Sequence, residues 1–397
     1  MHILTLNAGS SSLKFSVIEA AGERIIVQGS ADWASMPTRY TFGALNSETI
    51  QLDVDGSDFA SVVRRVSSDL NNLNDIDNSV VAVAHRIVHG GIRFTEPVLL
   101  TDVTEASLRE LIPLAPLHNP FSLEVIAAAR QSFPGLPHIA IFDTAFHATL
   151  APEAYTYPIP YKWTKNWNAR RFGFHGLSHA YCASRAAEMI ACRGTDLRLV
   201  VAHLGHGASV AAVLNGKSVD TTMGFTPLEG LMMATRSGSV DPGLLLYIQR
   251  EHGISAEELD RILNHESGLL GVSGVSGDMR KLEKAADFGN KRAQLAIGIY
   301  VHRLRQAIAA MAASLGGLDA LVFTGGIGEN SARIRQAVCQ RLTFLGLELD
   351  TAANRADHPD QIISTAASEA QILVLATQEN VMLCREATRV LNGATGS

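Results

Sequence analysis

The chain opens on Ile3-Leu4-Thr5-Leu6, then Asn7-Ala8-Gly9-Ser10-Ser11-Ser12, then Leu13-Lys14-Phe15-Ser16-Val17-Ile18. Two runs of β-branched and apolar residues flank a turn of small residues, the pattern of a β-hairpin. The turn holds a glycine and three serines, with an asparagine at its entry and a lysine at its exit. Backbone N–H groups, hydroxyls and one ammonium therefore converge on a small volume. Such a turn can receive phosphate oxygens, because an anion is held best by many short donors with no bulky side chain in the way. A polar hairpin tip without a ligand is the plainer alternative for this stretch alone.

A second stretch repeats the layout. Leu199 to Ala202 reads as a strand, His203-Leu204-Gly205-His206-Gly207 as a glycine turn, and Ala208 to Leu214 as a second strand ending at Asn215-Gly216. With Gly9 set over Gly205, the chain reads as two similar halves, each presenting a glycine hairpin. Its 397 residues exceed one ordinary core and indicate two domains. Ala151 to Lys165, rich in proline and aromatic residues, reads as an irregular connection between them.

Composition narrows the class. Apolar residues at 47% and charged residues at 18% describe a soluble globular protein with large buried sheets. A net charge of −6, with no basic run, argues against nucleic acid as a partner. No apolar run reaches membrane-spanning length, and a strand stands where a signal peptide would sit, so a cytoplasmic protein with no membrane partner is expected. Cys182, Cys192, Cys339 and Cys384 lie far apart without metal spacing and read as reduced, structural thiols.

Candidate site residues stand after apolar runs. Ser57 to Leu73 has the spacing of an amphipathic helix, while Asp32 to Gly56 reads equally as strands or loop. The strand Ser79 to Ala84 runs into His85-Arg86-Ile87-Val88-His89-Gly90-Gly91, which places Arg86 at the carboxyl edge of a parallel sheet, where ligands bind in open α/β folds. Arg86 is either an anion clamp or one half of a surface ion pair. Leu114-Ala115-Pro116-Leu117-His118-Asn119-Pro120 suits a rigid loop before a helix starting near Phe121. His138 to Phe142 then delivers Asp143, a catalytic carboxylate or a helix cap. His175, between aromatics and glycines in Arg171-Phe172-Gly173-Phe174-His175-Gly176, is accessible to a ligand or structural. Arg236 sits in the glycine-rich, apolar run Met223 to Gly238, where a desolvated guanidinium needs an anionic partner, bound or permanent.

Three further segments complete the reading. Gly271 to Gly277 reads as a flexible loop ahead of Asp278-Met279-Arg280. The strand Leu318 to Phe323 is followed by Thr324-Gly325-Gly326-Ile327-Gly328-Glu329-Asn330 and a helix. Strand, glycine loop and helix form a nucleotide-binding geometry, although neither a Walker A nor a dinucleotide fingerprint is present. After the strand Ile372 to Ala376, Glu379 is a helix cap or a magnesium ligand.

Taken in order, these motifs closely resemble the acetokinase family of acetate and propionate kinases over nearly the full length. The resemblance implies an α/β fold, the duplicated two-domain fold of the actin-like ATPase and sugar kinase superfamily, with a nucleotide cleft between domains. The expected division is residues 1–147 plus 379–397 for acyl substrate and magnesium, and 148–378 for nucleotide. It further implies reversible, magnesium-dependent phosphoryl transfer from ATP to acetate, giving acetyl phosphate and ADP, by a homodimer. Propionate or butyrate as acceptor, or a non-catalytic nucleotide-binding scaffold, are the alternatives. Carried over by position, Mg2+, or Mn2+ in its place, falls to Asn7 and Glu379. Arg86 binds the substrate, Asp143 is catalytic, and His175 and Arg236 stabilise the transition state. Val88, Leu117, Phe174 and Pro227 form the acyl pocket. Lys14, Ser10 and Ser12 contact phosphate, and the nucleotide segments are His203-Leu204-Gly205-His206-Gly207, Asp278-Met279-Arg280 and Gly326-Ile327-Gly328-Glu329-Asn330.

Three positions depart from the family pattern: His206 replaces an asparagine, Ala234 a glycine and Asn380 a second glutamate. His206 can still donate to phosphate, so altered nucleotide affinity or donor preference is expected rather than loss of activity.

Overall fold

A computed structural model describes all residues except 10–11, 34–36, 46–48, 55–57, 74–78, 191–195, 357–359 and 395–397. The chain divides into two compact units, the first Met1–Phe146 with Gln378–Ser397 and the second His147–Thr377.

The first unit is built on eight strands: β1 (His2–Ala8), β2 (Ser12–Glu19), β3 (Arg24–Asp32), β4 (Thr38–Ala44), β5 (Ile50–Val54), β6 (Val80–Ile87), β7 (Val98–Leu99) and β8 (His138–Phe142). They lie in the order β5-β4-β3-β2-β1-β6-β8-β7. β1 and β2 form the antiparallel hairpin expected, in register from His2 opposite Glu19 to Ala8 opposite Leu13. β1, β6 and β8 run parallel. Five successive residues of β1, Ile3 to Asn7, are buried, so both of its faces are covered. The helix Asn119–Ser132 packs on β1 and β6, and the C-terminal helix Glu379–Ala394 packs on β1, β2, β6 and β8. The helix Phe59–Asn71 turns Phe59, Val62, Val63, Val66 and Leu70 inward, the stripe its spacing requires. The ambiguous stretch after Asp32 becomes β4 and the edge strand β5; β5 is largely exposed, which is why its apolar pattern is weak.

The second unit holds β9 (Arg198–Leu204), β10 (Ala208–Leu214), β11 (Lys217–Thr221), β12 (Ala320–Thr324), β13 (Gln361–Ile362) and β14 (Gln371–Val374), in the order β11-β10-β9-β12-β14-β13. Read beside β3-β2-β1-β6-β8-β7, the order is the same. In each sheet a hairpin precedes two parallel strands, and a two-residue antiparallel strand closes the edge. The two sheets thus repeat one α/β layout within the chain. The helix Lys291–Ser314 packs on β9, β10 and β11, and Gly176–Ile190 packs on β9 and β12.

Three local readings are corrected. Gly325–Asn330 is helical, not a loop: Gly325, at φ 78°, turns the chain straight out of β12, and a Cβ there would stand 2.9 Å from the Leu204 backbone. Gly271 to Ser273 ends the helix Gly268–Ser273, which Gly274 stops at φ 65°. The stretch from Ala151 to Lys165 is not irregular throughout, since two short helices, Pro152–Tyr155 and Tyr161–Trp167, fall on it.

Candidate active site

In the first unit four polar side chains meet at the carboxyl edge of the sheet. Asn7 ends β1, Arg86 lies at the end of β6, Asp143 follows β8, and Glu379 starts the C-terminal helix. Arg86 Nε donates to Asp143 Oδ1 at 3.0 Å and Nη2 to Oδ2 at 2.6 Å, a bidentate, charge-assisted pair. Its Nη1 donates to Asn7 Oδ1 at 3.0 Å and lies 3.7 Å from Glu379 Oε2. Asn7 Nδ2 donates to the same Glu379 oxygen at 3.0 Å. Asp143 is buried, at 1% exposure of its side chain, whereas Arg86 and Glu379 keep 17% each. Burial would lower the Arg86 pKa, but the Asp143 and Glu379 charges outweigh it and raise it. The guanidinium is thus held charged, and the surface-ion-pair alternative gives way to a largely buried network.

Around this cluster, Asn119 fixes the loop after β6. It accepts from the His89 N–H at 3.2 Å and donates to the His89 carbonyl at 3.1 Å. Val88 is buried beside it in sequence, while Leu117 is 39% exposed. Lys14 pairs opposite Asn7 in the hairpin and is exposed. Ser12 begins β2, and Ser10 lies outside the described residues. The Gly9 N–H closes the turn on the Ser12 carbonyl at 2.7 Å.

In the second unit the groups gather around the β9–β10 turn. The Gly205 N–H donates to the Gly207 carbonyl at 2.9 Å, and a Cβ on Gly207 would stand 3.2 Å from His175 Nε2 and 3.8 Å from Arg236 Nη1. A Cβ there would crowd the His175 ring, whereas its distance from Arg236 is ordinary van der Waals contact. His175 has φ 57°, a left-handed conformation that costs a non-glycine residue about 1–2 kcal/mol. Its ring stacks on His203 with centroids 4.3 Å apart. Gly173, at φ 77°, leads into it, and a Cβ there would collide with the His147 ring at 2.6 Å. Arg236 is half-buried; Nη1 donates to the Pro227 carbonyl at 3.3 Å, and no carboxylate pairs with it among the described residues. Burial lowers its pKa. Desolvation and the Arg236 charge also lower that of His206.

The other nucleotide segments join this turn. The Ala234 N–H donates to the His206 carbonyl at 3.1 Å, and Gly277, just before Asp278, packs on Ala234. Asp278 caps the helix Met279–Asp287 through the Arg280 N–H and also pairs with the Arg280 side chain. The helix Gly325–Asn330, which carries Gly326, Ile327, Gly328, Glu329 and Asn330, packs on β9. Glu329 faces inward, where Oε1 accepts from the Gly325 N–H and from both the N–H and hydroxyl of Thr377. Asn330 donates to the Gly326 carbonyl at 2.9 Å. Phe174 is buried at 1%, its carbonyl within hydrogen-bond distance of His147 Nε2, while Pro227 is half-buried.

Sequence reasoning passed over Arg171, which donates to the carbonyls of Thr221, Thr222 and Met223 and pairs with Glu229. Tyr157 completes the staple, donating to Glu229 and accepting from the Phe225 N–H. Together they hold the start of the loop that carries Arg236. Ser209, His179 and His147 were passed over too. The available signal was one serine in an otherwise apolar strand, Ala208–Leu214.

Charged and hydrogen-bonding side chains at the carboxyl edges of both sheets, taken with the family match, put the chain in the phosphotransferase class. The chain is a member of the acetokinase family, whose model matches residues 2–385. It is 46% identical to the acetate kinase of Deinococcus radiodurans over 394 residues, 99% of either chain. It is also 46% identical to the propionate kinase of Salmonella typhimurium strain LT2 over 392 residues, covering 98% of this chain and 96% of that one. Among solved structures, Porphyromonas gingivalis acetate kinase superposes with a TM-score of 0.90 at 38% identity, covering 98% of this chain and 99% of that one. A propionate kinase from Francisella tularensis gives 0.91 at 40%, covering 97% and 98%.

Proposed function

We propose that the protein transfers the γ-phosphoryl group of ATP to acetate, reversibly and by direct in-line displacement, giving acetyl phosphate and ADP. The observation that carries this reading is the Asn7, Arg86, Asp143 and Glu379 cluster in a chain matched by the acetokinase family over residues 2–385.

The nucleophile needs no activating base. Acetate has a pKa near that of a Glu side chain, about 4–5, and is anionic at neutral pH. The barrier lies in the repulsion of two anions and in the charge spread over the moving phosphoryl group, so catalysis is electrostatic and positional. Arg86 takes the carboxylate of the acid, with Asp143 holding its fork in place. Arg236 offsets phosphoryl charge, and His175 hydrogen-bonds the equatorial oxygens. Lys14, Ser10, Ser12 and the three nucleotide segments hold the phosphates and nucleoside.

The oxygen donors of Asn7 and Glu379 suit Mg2+. This ion takes one or two protein ligands and completes its shell with water and phosphate. Bound there, the ion would supply charge neutralisation for the leaving phosphates, and Mn2+ would use the same oxygens.

Propionate is the second reading, favoured by the equal 46% identity to acetate and propionate kinases. One methylene in an apolar acyl pocket is worth about 1–3 kcal/mol, so discrimination is modest. Trapping the acyl phosphate as hydroxamate, with ATP and acetate, propionate or butyrate in turn, tests the assignment. A homodimer is proposed through the helix Pro242–His252, which buries none of its residues and exposes Leu244, Leu246 and Tyr247 at 47%, 57% and 49%. Sedimentation of wild type against Leu246→Glu checks it.

A further inference from the structure

The reading above gives His175 a hydrogen-bonding task, and the groups behind it decide which ring nitrogen carries its proton. Ser209 Oγ lies 2.9 Å from His175 Nδ1 and 2.8 Å from His179 Nε2. Ser209 is fully buried and these two rings are the partners of its hydroxyl among the described residues, so its one proton is satisfied by donating to one ring while it accepts from the other. His179 breaks the symmetry. It is fully buried, its Nδ1 has no hydrogen-bond partner, and burial with the neighbouring imidazoles holds its pKa well below the usual histidine range.

His179 is therefore neutral, with a single N–H. A proton on Nδ1 would be a buried donor with nothing to receive it, whereas a proton on Nε2 is donated to Ser209. Buried donors left unmade are expensive, and among backbone groups orphaned N–H is rarer than an under-used acceptor. Ser209 thus accepts from His179 and donates to His175 Nδ1. The His175 proton is left on Nε2, the atom that faces the Gly207 turn.

Neighbouring groups hold the arrangement in place. A carbonyl only accepts, so His147 carries its proton on Nε2, donates to the Phe174 carbonyl at 3.0 Å and accepts from the Ser218 hydroxyl at 2.7 Å. Its ring stands edge-on to His179 with centroids 5.7 Å apart. The residue just before His175 is thereby pinned from one side and the His175 ring from the other.

We propose that Ser209 and His179 are positioning residues that lock His175 in its Nε2–H tautomer, so that it meets a phosphoryl oxygen as a neutral hydrogen-bond donor. A neutral donor gives up no proton to the phosphate and keeps its geometry as charge develops. This deepens the phosphotransferase reading and rests on it.

The test begins on the whole protein without substrate. Long-range proton–nitrogen NMR of 15N-histidine protein, with His175 assigned by its loss in His175→Gln, should show protonated Nε2 and bare Nδ1. Protonated Nδ1 in wild type would overturn the proposal, whether or not any variant folds. Ser209→Ala should mix the tautomers and lower kcat by about tenfold to a hundredfold, the scale of a lost orienting contact, with KM for both substrates near wild type. Ser209→Thr, which keeps the hydroxyl, and His179→Gln, which keeps an N–H near the Nε2 position, should recover most of the loss. An unchanged tautomer and kcat in Ser209→Ala would count against it equally. If the phosphotransferase reading itself is wrong, wild type yields no hydroxamate with any acid while the tautomer spectrum stands unaffected.

Discussion

Arg86 lays both arms of its fork across the Asp143 carboxylate, Nε on Oδ1 at 3.0 Å and Nη2 on Oδ2 at 2.6 Å. Two groups read from sequence as separate candidates are one unit. Arg86→Ala should lower kcat/KM for the acid by orders of magnitude. It should also destabilise the protein by about 3–5 kcal/mol, because it strands a buried carboxylate. Arg86→Ala with Asp143→Ala should recover much of that stability and none of the activity. Urea unfolding beside steady-state kinetics separates the two effects; near-normal turnover in Arg86→Ala ends the clamp assignment.

Glu379 accepts from Asn7 and lies near Arg86 through the same oxygen, Oε2. Glu379→Gln keeps the shape and removes the charge. The Mg2+ concentration giving half-maximal rate should rise at least tenfold, with a smaller change in KM for the acid. A metal titration identical to wild type would remove Glu379 from the magnesium site.

Arg236 has no carboxylate partner among the described residues, and burial lowers its pKa. An anion should fill that need. ATP or inorganic phosphate is expected to raise the melting temperature of wild type, and clearly less that of Arg236→Ala, whose turnover should also fall by orders of magnitude. Equal thermal shifts would assign the guanidinium to the fold rather than to phosphate.

His206 was expected from the family resemblance to alter nucleotide binding, and its carbonyl accepts from the N–H of Ala234 at 3.1 Å. His206→Asn should change KM for nucleotide, or the ATP to GTP ratio, severalfold while kcat stays within about threefold. Indistinguishable nucleotide parameters in the two proteins would mean the substitution is neutral.

Stability should fall on the acid side. Burial lowers the His147 pKa from 6.5 to about 4. The folded protein therefore binds fewer protons than the unfolded chain between those values, and stability is full above pH 6.5 and lost as pH drops toward 4. The whole shift is worth about 3 kcal/mol, and His85 and His179, also depressed by burial, act in the same direction. Urea midpoints should be lower at pH 5 than at pH 7, with a shallower slope in His147→Gln. Midpoints independent of pH would contradict the buried, neutral ring.

The parts legible in the sequence were those with local signatures. The two hairpins, the central parallel strands and the residues at their carboxyl ends, Arg86 and Asp143 among them, followed from apolar runs meeting small-residue turns. Edge elements were not legible: β7 and β13 are two residues each, and β5 is mostly exposed, so none has a buried pattern to read. Nor was the helical start at Gly325, because its turn depends on close packing against Leu204, more than a hundred positions earlier.

By itself, then, the amino-acid order determined the duplicated strand layout and the chemistry offered at each strand end, since periodicity and turn propensity act over a few residues. Only the tertiary structure decided which of those groups hold one another. Asn7 meets Glu379 across 372 positions, and His175 shares Ser209 with His179 across 34 and 30. A hydrogen bond depends on distance and angle in space, and separation along the chain encodes neither.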